Sequence, residues 1–132
     1  MLNTALIPLQ IPTGWDVMKN QFYNVDFTVD PTHPYLFDDC LLILLLKHQV
    51  ATDIASFSVD VGWYPQNDPQ GYYKVQALYN YHDRDYADGI VEFKSRDRFE
   101  IQRKIDEWLP ILLDCFSYRL SYEETVKRLI SD

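Results

Sequence analysis

Ala55-Ser56-Phe57-Ser58-Val59-Asp60-Val61-Gly62-Trp63 and Tyr73-Lys74-Val75-Gln76-Ala77-Leu78-Tyr79-Asn80-Tyr81 decide the fold of this chain. In the first run Ala55, Phe57, Val59, Val61 and Trp63 alternate with small or polar residues. In the second, Tyr73, Val75, Ala77, Tyr79 and Tyr81 alternate with Lys74, Gln76, Leu78 and Asn80. Alternation of period two marks a strand with one buried face. Between the runs lies Tyr64-Pro65-Gln66-Asn67-Asp68-Pro69-Gln70-Gly71-Tyr72, a cluster of turn formers too long for a two-residue hairpin turn. Residues 54–81 are therefore predicted to form one long β-hairpin. A one-residue slip would turn one apolar set towards water, which fixes the register. Val61 is expected opposite Val75, Val59 opposite Ala77, Phe57 opposite Tyr79 and Ala55 opposite Tyr81.

Working outward, Ile7 to Val25 is expected to supply one or two strands, with Thr13-Gly14 as a turn before Trp15. There Trp15 and Val17 alternate with Asp16 and Met18. The prolines of Asp30-Pro31-Thr32-His33-Pro34 bias their predecessors away from helix, which makes this stretch a loop. Leu41 to Leu46 can be read two ways. Its leucines favour helix, whereas its length and unbroken apolarity suit a central strand buried on both faces, and strand is the expectation. After the hairpin, His82 to Gly89 reads as a polar loop and Ile90 to Phe93 as a short strand.

The period then changes. Ile101, Ile105, Trp108 and Leu109 fall on one helical face, with Asp97 and Glu100 as a capping pair and Ser95 as a rival cap. Pro110 is expected to stop or kink this helix, leaving Ile111 to Leu120 either apolar and irregular or as a continuing helical turn. A last helix begins at Ser121, whose S-x-x-E pattern ends at Glu124, and carries a stripe of Tyr122, Val126, Leu129 and Ile130. Strands followed by helices indicate an α+β fold: an antiparallel sheet of about five strands, with the long hairpin at its centre, packed against C-terminal helices. Its 132 residues are enough for a single domain with a real core.

Composition narrows function mostly by exclusion. Cys40 and Cys115 stand in apolar surroundings without C-x-x-C spacing, which suits buried thiols in a reducing compartment. No signal peptide is expected from the N-terminal residues, nor a membrane span from the short Leu41–Leu46 run. His33, His48 and His82 are too scattered for a local metal site. Asp83, Asp85 and Asp88-Gly89 imitate a calcium loop, but Ala87, Asp88 and Lys94 occupy the wrong positions for its ligands and glycine. Neither a nucleophile elbow nor a phosphate-cradling glycine loop is present. No cofactor, metal or catalytic residue is therefore assigned, and the chain is not expected to be an enzyme.

Charge says more. The sequence has 20 acids and 12 bases, a net charge of −8. Twelve of the acids but only four bases fall in residues 1–93, so the whole excess lies in the strand-rich part. Such a surface repels phosphates, which argues against nucleic acid as a direct partner. It attracts a basic protein and speeds the encounter. The bases between Lys94 and Lys104 are interleaved with acids and read as a mixed, solvated helix face. Candidate partner-binding residues are the acids Asp60, Asp68, Asp83, Asp85 and Asp88, with Tyr64 and Tyr72 as aromatic anchors. The two tyrosines have the parity opposite to the core-facing Trp63 and Tyr73.

Three groups of residues, taken in order, carry a resemblance. They are Ile11-Pro12-Thr13-Gly14-Trp15, then Val61-Gly62-Trp63-Tyr64-Pro65 with Asp68-Pro69-Gln70-Gly71-Tyr72-Tyr73, then Ser95-Arg96 with Ile105-Asp106-Glu107-Trp108-Leu109. The order resembles that of the small acidic immunity proteins encoded beside bacterial polymorphic or contact-dependent toxins. The resemblance implies a cytoplasmic protein that binds and neutralises a cognate toxin domain, often a nuclease. It assigns no binding residue, because these are turn and core positions. The competing expectation is a general protein-interaction or regulatory module, likewise without catalytic groups.

Overall fold

The computed structural model describes residues 5–28, 34, 36–50, 53–81, 87–117 and 122–130. Five strands form one antiparallel sheet in chain order: β1 (Asp16–Asn20), β2 (Leu42–Val50), β3 (Asp53–Tyr64), β4 (Tyr72–Tyr81) and β5 (Asp88–Ser95). Two helices follow, α1 (Arg98–Ser117) and α2 (Tyr122–Ile130). The fold is α+β. Val61 faces Val75, Val59 faces Ala77, Phe57 faces Tyr79 and Ala55 faces Tyr81, the register that the apolar alternation demands.

The core lies between one face of the sheet and α1. Leu42, Leu44, Phe57, Val59, Val61, Trp63, Tyr73, Val75 and Ala77 enter it from the sheet. Ile101, Ile105, Trp108, Leu109, Leu112 and Cys115 enter it from α1. Asp97 caps α1 through its side chain, which accepts a hydrogen bond from the Phe99 amide at 2.8 Å. Glu100 reaches back to the Ser95 hydroxyl at 2.8 Å, so both expected caps take part.

Several expectations need correction. Pro110 does not end α1, which runs on to Ser117. The proline is exposed, and burial of Leu112 and Cys115 beyond it outweighs the one backbone bond it removes. Of the two readings of Ile111 to Leu120, the continuing helix is the one found as far as Ser117, and residues 118–120 lie outside the described residues. Within the one or two strands expected from Ile7 to Val25, the described residues give one, supplemented by an isolated bridge between Leu6 and Tyr23. Val17 does not share Trp15's burial, because it lies on an edge strand with a bulge between Val17 and Lys19. β2 is a strand, yet among its described side chains only Leu42, Leu44 and Leu46 are buried; Ile43 and Leu45 are half-buried on a face that no described helix covers. On α2 the buried positions are Thr125 and Leu129, while Ile130 is 62% exposed at the helix end. Asp88 and Gly89 belong to β5 rather than to the preceding loop. His33, His82 and Ser121 lie outside the described residues.

Candidate interaction surface

α1 contacts β3, β4 and β5 and α2 contacts β5, with Leu129 of α2 in the same core as the buried face of α1. Among the described residues the opposite side carries no packed element. Strand parity and register place Ser56, Ser58, Asp60 and Tyr64 of β3 on it, beside Asn80, Leu78, Gln76 and Tyr72 of β4. Ile43 and Leu45 join them from β2, and Glu92 and Lys94 from β5.

The end of this face is built on the loop joining β3 to β4. Trp63 points into the core, where its ring lies 5.2 Å from Phe27, 5.1 Å from Phe37 and 4.9 Å from Tyr73. Its indole N–H donates to the Asp68 carbonyl at 2.8 Å. The Asp68 carboxylate accepts from the Gln70 amide at 2.8 Å, closing an Asx turn. Asn67, at φ 58°, bonds back to the Phe37 and Pro34 carbonyls. Arg96 then latches the loop from outside, its guanidinium donating to the Gly71 and Pro69 carbonyls. This loop is packed against its own domain.

Tyr64 and Tyr72 stand opposite each other across the ladder, half-buried on the uncovered face. The Tyr64 hydroxyl donates to the Asp39 carbonyl at 2.8 Å. Burial raises its pKa, with the negative charge of Asp39 acting in the same direction. Lys74 lies over the Tyr64 ring at 4.4 Å and Lys94 over the Tyr72 ring at 5.5 Å. The Tyr73 phenol, on the core side, is pushed up to about 12 by burial.

Asp60 occupies the middle of the same face, between Ile43 and Gln76 in the ladder. One of its carboxylate oxygens is buried without a hydrogen-bond partner. Burial pushes its pKa to about 6, against a hydrogen bond from Ser58 that favours the charged form.

The structure thus brings Asp60, Tyr64, Asp68 and Tyr72 to one half of the sheet and separates Asp88 from them. Asp88 pairs with Tyr79, about 23 Å along β4 from Tyr72 by the strand rise. Asp83 and Asp85 lie outside the described residues. The uncovered face itself has mixed charge, with Lys74 and Lys94 beside Asp60 and Glu92. The acids collect towards the sheet ends instead, where Asp38 and Asp39 join Asp68 near the tyrosines. The reading of Lys94 to Lys104 as one helix face also needs correction. Lys94 belongs to β5 and Arg96 to the turn before α1, while Arg98 is paired with Asp26 at 2.6 Å.

Sequence reasoning missed the contributions of Asp39 and Arg96. Both act through backbone carbonyls, which leave no signature in residue type. Among the described residues no group of three or more His, Cys, Asp or Glu side chains could hold a metal ion. No described helix is long and apolar enough to cross a membrane. No protein-family model matches the chain, and neither does any curated protein or solved structure.

Proposed function

We propose that this chain is an immunity protein, a cytoplasmic inhibitor that binds and neutralises a cognate basic toxin domain of nuclease type. The observation that carries the reading is the placement of charge. The excess of −8 falls entirely within residues 1–93, and within them Asp38, Asp39 and Asp68 gather beside an aromatic pair on a sheet face without a helix. In this reading the acids draw the toxin in, and Tyr64 and Tyr72 supply rigid contact area once it docks. Asp83, Asp85 and Asp88 act at longer range by steering. An acidic protein seated on a basic active site occludes it without chemistry of its own.

The test is protection. Cells expressing the toxin domain encoded beside this gene should survive when the chain is co-expressed, and the two proteins should co-purify as a complex. Neutralising Asp60, Asp68, Asp83, Asp85 and Asp88 and replacing Tyr64 and Tyr72 should abolish protection. Full protection by that variant would move the interface to the helical third, and absence of any complex would refute the proposal.

A further inference from the structure

The edge strand β1 carries a second surface, the open edge of the sheet that borders the uncovered face. Among the described residues β1 pairs with β2 alone, and on it Val17 and Met18 are 50% and 60% exposed. An open edge presents unpaired N–H and C=O groups that invite another strand. The bulge changes which side chains share a face. Asp16 pairs with Leu45 and Lys19 with Ile43, and Met18 is the extra residue between. Ile43 and Leu45 are two apart on a regular strand and point the same way. Asp16 and Lys19 therefore also share that face, although residues three apart in a regular strand would face opposite ways.

We infer that β1 pairs with β1 of a second copy of this chain, antiparallel about a two-fold axis between Val17 and Met18. That register sets Asp16 of each copy beside Lys19 of the other, on one face of the joined sheet, and Val17 beside Met18. Two ion pairs form by symmetry, and the exposed apolar pair of each copy is covered by that of its mate. The contact is isologous and closes at two copies. Opposite charges directly across a strand pair are favourable, whereas a parallel pairing would put Asp16 against Asp16 and Lys19 against Lys19. The strand is short and its bulge interrupts the ladder, so side chains rather than backbone bonds carry the seam. The dimer is accordingly weak and salt-sensitive.

Sedimentation velocity on the full chain, from micromolar into millimolar concentration at low salt, tests this without any toxin. A monomer–dimer equilibrium that shifts to monomer at high salt is expected. Asp16→Lys or Lys19→Asp alone should weaken the dimer about tenfold or more by placing like charges together. The double variant Asp16→Lys with Lys19→Asp should restore it. Both positions lie on an edge strand, and unchanged thermal melting will show that the fold is intact. A monomer at every concentration would overturn the inference, as would failure of the double swap to restore dimers. An open-ended series of oligomers would overturn it too, because it would mean that β1 pairs with a different edge.

Discussion

Asp60 is a residue whose burial works against stability. Its folded pKa, about 6, lies above the ordinary carboxylate value of 3.8, because burial disfavours the charge. The sign follows. Stability from this group is complete below the unfolded pKa, where it is neutral in both states, and is lost as pH rises through about 6. Asp60→Asn should therefore stabilise the protein near neutral pH by about 1 kcal/mol, with solvent access to the half-buried carboxyl keeping the gain small. It should also flatten the dependence of stability on pH across the same window. Urea unfolding at acid and neutral pH measures this, and equal neutral-pH stability of the two proteins would contradict it. Gly62 makes the opposite kind of demand. A Cβ there would lie 2.0 Å from the Asp39 carbonyl oxygen and 2.6 Å from its carbon, so backbone must move to admit it. Gly62→Ala should cost about 1–3 kcal/mol in thermal or denaturant unfolding, and a neutral effect would show that residues 38–40 do not press on β3.

Among the elements, α1 is the one on which sequence rules and packing disagree. Its stripe of Ile101, Ile105, Trp108 and Leu109 was legible in the 3.6-residue period, but the two turns of helix beyond Pro110 were not. A local rule penalises one missing backbone bond. Only the assembled core shows that Leu112 and Cys115 have a place to be buried. Trp108 is 1% exposed between helix and sheet, and Trp108→Ala should cost about 3–5 kcal/mol by chemical denaturation. A loss below about 1 kcal/mol would mean that the helix faces elsewhere. The hairpin is the opposite case. Side-chain alternation was enough to exclude the odd slips in its pairing, because a one-residue slip exposes an apolar set. The loop at its tip was recognisable as turn chemistry from Pro65, Asn67, Asp68 and Gly71. Its latch was not, since Arg96 binds carbonyl oxygens, and the basic run around it read as solvated charge. β1 likewise hid its bulge, because nothing in Asp16-Val17-Met18-Lys19 announces an extra residue.

At the scale of the whole molecule, the central claim is that an acidic, sheet-rich body is built to meet a basic protein. The asymmetry of charge could be counted from the chain. That the acids collect towards the sheet ends rather than over the uncovered face could not, because strand parity does not place loop residues in space. Steering and anchoring should then separate kinetically: charges act on the rate of encounter, and desolvated aromatic contacts act on the lifetime of the complex. Stopped-flow association with the proposed cognate toxin domain, across a series of salt concentrations, measures this most directly. Raising salt should slow association much more than it speeds dissociation, and neutralising Asp83, Asp85 and Asp88 together should reproduce the slowing at low salt. An association rate that ignores salt would contradict the account.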